Sequence, residues 1–165
     1  MEIKIREMQS QDWQDVARIY KEGIATGNAT FQKDIPTWEE WDTSHLKKCR
    51  FIAENTEGGI IGWAALTPVS GRCVYAGVAE VSVYVTPQYH GQGIGKILMQ
   101  NLIETSEVEG LWTLQAGILK ENIGSVRLHE SVGFRQIGYR EKIGQLDGIW
   151  RDTLLLERRS DKVGV

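Results

Sequence analysis

Strand-type and helical patterns of hydrophobic residues alternate along the first part of the chain. IKIREM near the N-terminus alternates isoleucine with polar residues, which predicts a short strand. Ser10 stands where a helix N-cap is expected, and apolar residues follow it at helical spacing: Trp13, Val16, Ala17, Tyr20 and Ile24. Small and turn-forming residues at 23–31 predict a loop or a frayed helix end. Pro36 and Thr37 open a second short helix, and two apolar runs within 51–66 predict a hairpin.

The centre of the chain carries the most regular pattern. Residues 74–85, VYAGVAEVSVYV, predict a long strand, which Pro87 ends because proline has no N–H for a sheet ladder. After the loop YHGQGIGK at 89–96, apolar residues lie on one helical face: Ile94, Ile97, Leu98, Leu102 and Ile103. The remaining predicted elements are a strand at 111–119, a helix at 123–132 between Asn122 and Gly133, and strands at 136–143 and 149–156. Together they predict a mixed α/β sheet in a single domain over residues 1–165.

Composition narrows the class of protein. The chain has 165 residues, of which 41% are apolar and 25% charged, an ordinary mixture for a soluble protein. Its net charge is −3 with the basic residues dispersed, so we expect neither a nucleic-acid surface nor a polybasic membrane patch. No apolar run approaches the roughly 18 residues that span a bilayer, and MEIKIREMQ has no signal-peptide core. Cys49 and Cys73 have neither metal-ligand nor redox spacing, so we expect a reduced, cytoplasmic protein without a metal site.

The glycine loop suggests a site for an anion. Gly91, Gly93 and Gly95 stand two residues apart, which excludes the G-x-G-x-x-G fingerprint, and isoleucine rather than a hydroxyl residue follows Lys96, which excludes a Walker A loop. Residues without side chains still allow backbone N–H groups to approach an anion, and a helix start adds about half a positive charge. Lys96 would reinforce such a site. The alternative is a flexible connection between a strand and a helix.

The order strand, x-G-x-G-x-G loop, helix, strand and a helix that opens with Asn resembles the coenzyme A site of the GNAT N-acetyltransferase superfamily. The loop pattern of that family is Arg/Gln-x-x-Gly-x-Gly/Ala, in which Gly93 and Gly95 match the small positions and His90 departs from the first. IYKEGIATGNATF, GWAAL, YAGVAEVSVYV, SVRLHESVGF and IWRDTLLLER further resemble, in order, the phosphinothricin and methionine sulfoximine acetyltransferase branch over nearly the full chain.

The resemblance implies a fold, a reaction and a cofactor site. The fold would be a single mixed, mostly antiparallel sheet that splays at a central parallel strand pair and is flanked by helices. The reaction would move acetyl from acetyl-CoA to the α-amine of methionine sulfoximine, methionine sulfone or phosphinothricin. The implied cofactor-binding residues are Val83, Tyr84, Val85, Gly91, Gln92, Gly93, Ile94, Gly95, Lys96 and Asn122. The branch is usually dimeric, and the helix with Trp38 and Trp41 is one candidate for an apolar contact surface.

Glu80 and His129 are the catalytic candidates. Glu80 lies in the nearly uncharged run 74–85, so it is either a solvent-facing residue of an amphipathic strand or a partly desolvated carboxylate. The resembling enzymes have a catalytic glutamate there, which implies a general base. His129 lies four residues after Ser125 on a predicted helix, where it is either a surface histidine or, by resemblance, a group that assists proton transfer. The division of acid and base roles between Glu80 and His129 stays open.

Four residues are candidates for binding the acceptor. The resemblance implies that Arg72 binds the acceptor carboxylate, for which a guanidinium fork is suited, although most arginines are solvated surface charges. Thr30, Phe31 and Tyr75 would line the pocket, and Ser70 stands where the branch usually has a second basic or polar group. Two other functions remain open: acetylation of protein N-termini or polyamines, and a non-catalytic acyl-CoA sensor.

Overall fold

The computed structural model describes residues 2–165 and contains seven strands and four α-helices. The strands are β1 (Lys4–Glu7), β2 (Phe51–Glu54), β3 (Ile60–Pro68), β4 (Val78–Val85), β5 (Thr113–Leu119), β6 (Arg135–Leu146) and β7 (Ile149–Arg159). The helices are α1 (Trp13–Ala25), α2 (Trp38–Ser44), α3 (Ile94–Val108) and α4 (Ile123–Ser131). All strands join one sheet in the order β1-β2-β3-β4-β5-β7-β6.

Every neighbouring pair in this sheet is antiparallel except β4 and β5, which run parallel. That parallel pair is short, because only Val78, Ala79 and Glu80 pair with Thr113, Leu114 and Gln115. Residues 81–85 of β4 and 116–119 of β5 do not pair with each other, so the two strands separate beyond Glu80. We call this opening the fork, and its closed end is the pair Glu80 and Gln115. The predicted mixed sheet, splayed at a central parallel pair and flanked by helices, is confirmed.

Two apolar cores cover the two faces of the sheet. On one face, α3 contributes Leu98, Met99 and Leu102 to a cluster that includes Val81 and Phe134. On the other face, α1 and α2 pack on β3 through a smaller cluster: Val16, Ile19, Trp41, Ile52, Ile60, Trp63 and Ala65. The alternation of β4 therefore has a physical basis, because Val81, Val83 and Val85 face the larger core while Tyr84 joins the smaller one.

The structure differs from the predicted elements in several places. The strand predicted for 74–85 begins only at Val78, because Cys73–Tyr75 form a 3₁₀ turn that the bond from Tyr75 N–H to the Arg72 carbonyl closes. The last two strands extend further than predicted, to 135–146 and 149–159. The helix with Trp38 and Trp41 does not offer a wide apolar surface, since Trp41 is only 1% exposed.

Two surveys of residues 2–165 bear on the function. None of the helices there is both long and apolar enough to cross a membrane. No three histidine, cysteine or acidic side chains in the same range are grouped so that they could hold a metal ion. The expectation of a single domain over residues 1–165 stays a prediction.

Candidate active site

The main chain of β4 faces the fork at every second residue. Thr86 N–H donates to Ile61 C=O at 2.8 Å, and Val69 N–H donates to Val78 C=O at 3.4 Å. Since hydrogen-bonded positions alternate along an antiparallel pair, the even-numbered residues of β4 point their N–H and C=O groups at β3. The odd-numbered residues, Val83 and Val85 among them, therefore point theirs into the fork.

Of the residues predicted to bind the cofactor, Tyr84 faces away from the fork, and Val85 already has one hydrogen bond at its carbonyl. The main chain of Tyr84 faces β3, and its ring stacks on Trp63 with centroids 5.0 Å apart, so Tyr84 does not reach the fork. The carbonyl of Val85 already accepts a hydrogen bond at 2.7 Å from His90 Nε2. His90, which departs from the family pattern at the first loop position, thus ties the glycine loop to the end of β4.

The glycine loop leads into α3 and leaves its N-terminus without a side-chain cap. Gly91 and Gly93 have φ angles of 76° and 82°, a left-handed conformation that favours glycine. Gly93 is the N-cap residue, no side chain caps the helix there, and the first intrahelical bond runs from Ile97 N–H to Gly93 C=O. The N–H groups of Ile94, Gly95 and Lys96 are therefore available to an anion, together with the helix dipole.

Gly95 also has a packing role that spacing alone does not reveal. A Cβ atom at Gly95 would lie 3.0 Å from Leu128 Cδ2 of α4 and 3.8 Å from Val85 Cγ2. The missing side chain allows α4 to approach the start of α3. Asn122 caps α4 by accepting from Ser125 N–H at 3.3 Å, as predicted. The structure thus brings together β4, the glycine loop and the capped start of α4.

Glu80 lies at the closed end of the fork, half-buried, beside Gln115 of β5. Gln115 Nε2 donates to Glu80 Oε1 at 3.1 Å, and the two residues are register partners in the parallel pair. Glu80 is thus half-buried, with a neighbouring amide on one oxygen of its carboxylate. Gln115 was missed from the sequence, although a lone polar residue in the apolar run LWTLQAGIL is the same signal that indicated Glu80.

His129 is buried rather than on the surface, with 3% of its area exposed. Its Nδ1 lies 2.7 Å from the carbonyl oxygen of Ser125, and its ring meets Phe134 edge-on with centroids 5.0 Å apart. The contact with a carbonyl oxygen fixes the proton on Nδ1, so Nε2 carries the lone pair, and that atom has no hydrogen-bond partner among residues 2–165. Burial lowers the pKa of His129, and the bond to Ser125 only partly opposes this. No hydrogen bond joins His129 to Glu80 within the same residues.

Arg72 and Tyr75 lie together on the exposed turn before β4. The guanidinium carbon of Arg72 is 5.6 Å from the centroid of the Tyr75 ring, a cation–π distance. Beside this turn is a cavity of about 510 Å³ on the Glu80 face of the sheet. Its lining includes Ser70, Tyr75, Val78, Trp112 and Gln115. The cavity therefore connects the turn with the neighbour of Glu80.

The loop with Thr30 and Phe31 is fixed to the β6–β7 hairpin. Arg151 of β7 donates to the carbonyl of Gly27 at 2.9 Å and to Asn28 Oδ1 at 2.6 Å. The Phe31 ring lies so close to Gly144 of β6 that a Cβ atom there would be 3.1 Å from it. Lys33 and Asp147 form an ion pair at 2.6 Å between the same two segments.

Thr30 lies near two half-buried tyrosines, Tyr20 of α1 and Tyr84 of β4. Burial raises the pKa of Tyr84, and its closeness to Tyr20 raises it further, while the nearby Thr30 hydroxyl partly opposes this. Burial likewise raises the pKa of Tyr20, and the nearby Thr30 hydroxyl partly opposes this. Arg151, which orders the loop, was not among the predicted site residues, because no local pattern marks a contact between residues 123 or 124 positions apart.

Comparison with known proteins identifies the class. The model of the acetyltransferase (GNAT) family matches residues 6–134. Phosphinothricin N-acetyltransferase from Streptomyces coelicolor is 30% identical over 164 residues, which cover 95% of this chain and 96% of that protein. L-methionine sulfoximine/L-methionine sulfone acetyltransferase from Pseudomonas paraeruginosa is 27% identical, with 98% of this chain and 96% of that protein covered.

A solved structure agrees with these relatives. The crystal structure of a GNAT superfamily phosphinothricin acetyltransferase from Sinorhizobium meliloti in complex with AcCoA is 26% identical, with a TM-score of 0.89. The match covers 99% of this chain and 91% of that one. The chain therefore belongs to the GNAT acetyltransferase family. It is an acetyl-CoA-dependent acetyltransferase, so this part of the sequence prediction is confirmed.

Proposed function

We propose that this enzyme transfers acetyl from acetyl-CoA directly to the α-amino group of methionine sulfoximine, methionine sulfone or phosphinothricin. Glu80 acts as the general base, and His129 assists proton transfer. The position of Glu80 at the closed end of the fork, half-buried and hydrogen-bonded by Gln115, is the observation that carries the proposal. The printed activities of the similar enzymes from Streptomyces coelicolor and Pseudomonas paraeruginosa support the choice of acceptors.

The residues at the fork and the glycine loop fit acetyl-CoA. The main-chain groups of Val83 and Val85 point into the fork, where they can pair with the amides of the pantetheine arm as a missing strand would. The Val85 carbonyl has a second lone pair beside the bond from His90, so it can accept another donor. The uncapped amides at 94–96, the left-handed Gly91 and Gly93, and exposed Lys96 suit the diphosphate. Gln92 lies in the same loop, and the Asn122 amide nitrogen is free of its capping bond.

The reaction needs a neutral amine beside the thioester carbon. Glu80 takes a proton from the acceptor ammonium, and the nitrogen lone pair then attacks the thioester carbonyl. A C–N bond forms, the C–S bond breaks, and the second proton that the nitrogen loses passes to the coenzyme A thiolate. Gln115 occupies one oxygen of Glu80, which leaves the other oxygen for the proton of the amine.

The tautomer of His129 defines what it can contribute. A proton on Nδ1, held by the Ser125 carbonyl, leaves the Nε2 lone pair as the reactive atom. Because burial lowers its pKa, His129 is neutral at neutral pH. A neutral imidazole with a free Nε2 accepts a proton rather than supplies one. We therefore assign Glu80 to remove the ammonium proton first and His129 to relay the second proton from the nitrogen to the thiolate.

The acceptor would lie between the turn 72–75 and the loop 26–34. The Arg72 guanidinium, oriented over Tyr75, can bind a carboxylate through two parallel hydrogen bonds. Thr30 and Phe31 close the opposite side, held by Arg151 and by the contact with Gly144. A small zwitterionic amino acid analogue matches this arrangement of one cation and aromatic walls.

A panel of amines tests the activity. Release of coenzyme A thiol is measured with methionine sulfoximine, methionine sulfone and phosphinothricin, and with a polyamine and a peptide N-terminus for comparison. We expect turnover with the first group and little with the second. Activity on the polyamine or the peptide, without turnover of any of the three analogues, would refute the proposed acceptors.

The variant Glu80→Gln tests the base. We expect turnover to fall by about 10²-fold or more while acetyl-CoA binding is retained. Glu57→Gln, on the exposed turn between β2 and β3, is the matched control and should behave as the unchanged enzyme. His129→Gln should also lower turnover with acetyl-CoA binding intact. Unchanged turnover in Glu80→Gln would remove Glu80 from the mechanism.

We also propose that the enzyme is a cytoplasmic homodimer that acts on small molecules and not on nucleic acid or membranes. Both cysteines are free thiols, which suits a reducing compartment.

Exposed apolar side chains concentrate on the β6–β7 hairpin: Tyr139, Ile143, Ile149 and Trp150. This surface suits a second copy better than α2 does. Light scattering should give twice the chain mass, and Trp150→Glu should reduce it to one; a monomeric unchanged enzyme would contradict the proposal.

A further inference from the structure

We infer that Gln115 is a positioning residue that holds the carboxylate of Glu80 in the orientation that accepts the proton of the amine. This inference rests on the proposed role of Glu80 as the general base. It assigns a function to a side chain on β5, the strand across the fork from the base.

The contact is specific to the geometry of the parallel pair. Glu80 and Gln115 are the last register partners before β4 and β5 separate, so their side chains leave the same face of the sheet side by side. Gln115 Nε2 donates to Glu80 Oε1 at 3.1 Å. Within residues 2–165, no other side chain donates a hydrogen bond to Glu80, and no basic group forms an ion pair with it.

An amide donor at this point does two things for the carboxylate. A glutamate side chain has three rotatable bonds, and one bond to a fixed partner limits the orientations of its oxygens. A carboxylate only accepts hydrogen bonds, so Gln115 must present its NH₂ group, which leaves the second oxygen of Glu80 open. Gln115 is itself fixed because it lies within β5 and half-buried.

The surroundings favour glutamine over an acidic residue at position 115. Glu157 of β7 is the register partner of Gln115 on its other side, and it pairs with Arg135 at 3.2 Å. Glutamate at 115 would therefore stand between two carboxylates and repel both. A neutral donor avoids that repulsion and still satisfies Glu80.

Gln115 also lines the cavity of about 510 Å³, so two simpler roles compete with positioning. It could fill space beside the acceptor, or it could donate to the thioester oxygen directly. Either role would act independently of Glu80, whereas a positioning role acts only through Glu80. A double-mutant cycle separates these cases.

The experiment measures kcat and KM for Gln115→Met and Gln115→Glu, each alone and combined with Glu80→Gln. In the enzyme with Glu80, we expect Gln115→Met to lower kcat about tenfold, as loss of a hydrogen bond to a charged group does. Gln115→Glu should lower kcat further, because the new carboxylate repels Glu80, although glutamate and glutamine have the same size. The KM for acetyl-CoA should stay within about twofold in both variants. In the Glu80→Gln background, neither change should lower kcat further.

Gln136→Met is the matched control, since Gln136 is an exposed residue of β6 without contact to Glu80. Thermal unfolding of each variant checks that the fold is intact. Methionine and glutamate at position 115 differ in charge, so the inference can be tested even if only one of the two variants folds. An equal loss in both backgrounds, or no loss in either, would overturn the inference. Unchanged turnover in Glu80→Gln alone would instead refute the proposed base, so the two failures are distinguishable.

Discussion

A methyl group at Gly77 tests how the closed end of the fork is held together. The Gly77 carbonyl accepts from Trp112 N–H at 2.8 Å and from Thr113 N–H at 3.1 Å, which starts the parallel pair. The indole of Trp112 covers Gly77, and an added Cβ atom would lie 2.0 to 2.3 Å from three of its carbon atoms. Carbon atoms in contact are normally about 3.5–4.0 Å apart, so in Gly77→Ala the ring must move by roughly 1.5 Å.

The ring of Trp112 cannot make that movement freely. Its main chain is fixed on both sides, by Gly77 and by the bond from Ser160 N–H to the Trp112 carbonyl at 2.8 Å. Overpacking of this kind costs about 1–3 kcal/mol, and a direct overlap with an aromatic ring belongs at the upper end. We therefore expect Gly77→Ala to lower the free energy of unfolding by about 3 kcal/mol. For a chain of this size, the melting temperature should fall by roughly 6–12 °C.

Urea denaturation measures the effect, with the same slope expected for both proteins. Gly71→Ala is the matched control, since a Cβ atom there meets nothing within 4 Å. Its free energy of unfolding should change by less than about 0.5 kcal/mol. Because the parallel pair carries Glu80 and Gln115, kcat should also fall in Gly77→Ala. Equal stability of the two variants would refute the reasoning about the closed end.

Three further predictions concern the acceptor loop, a buried histidine and the thiols. Arg151→Ala removes the bonds to Asn28 and its neighbour, so we expect the KM for the acceptor to rise about tenfold in steady-state kinetics, with the KM for acetyl-CoA unchanged. Burial lowers the pKa of His129 from its ordinary 6.5, so the unfolded chain binds more protons. The free energy of unfolding should therefore be highest above pH 6.5 and fall below it. His129→Asn should reduce this dependence on pH, measured by denaturation curves at several pH values. Burial raises the pKa of the Cys49 thiol to about 11, so a thiol reagent should modify only exposed Cys73 before unfolding and both thiols afterwards.

Each of these predictions has a control or a contradicting outcome. Arg135→Ala removes an exposed ion pair on β6 and should leave both KM values unchanged. His45 is half-buried, which lowers its pKa as well, so His45→Asn should also reduce the pH dependence of the free energy of unfolding, by a separate amount. If His129→Asn left the pH dependence of the free energy of unfolding unchanged, the argument from the burial of His129 would be contradicted. Rapid modification of two thiols in the folded enzyme would contradict the burial of Cys49.

Features with local causes could be predicted from the sequence. Thr37 accepts from Glu40 N–H at the start of α2, and Asn122 caps α4, because capping depends on residues only three positions apart. Gly133, just past α4, has a φ of 97°, as its predicted position requires. The alternation of β4 likewise follows from its own sequence, since it reflects a strand covered on two faces.

Features with long-range causes could not be predicted in this way. Glu80 was found as a lone charge in an apolar run, but its partner Gln115 is 35 residues away and became visible only through the register of the parallel pair. The bonds from Trp112 and Thr113 N–H to the Gly77 carbonyl, which start the parallel pair, join residues 35 and 36 positions apart, and no strand pattern contains them. Burial of His129 depends on the side of α4 that meets Phe134, and the weak helical pattern of 123–132 does not define that side.

A crystal structure with acetyl-CoA and methionine sulfone would test the central claim most directly. We expect the diphosphate to be bound by the N–H groups between Gly91 and Lys96 and the pantetheine amides to pair with Val83 and Val85. We further expect the acceptor nitrogen to lie within hydrogen-bond distance of Glu80, directly or through one water, on the oxygen that Gln115 leaves open. A diphosphate bound elsewhere, or a Glu80 side chain directed away from the thioester, would contradict the account.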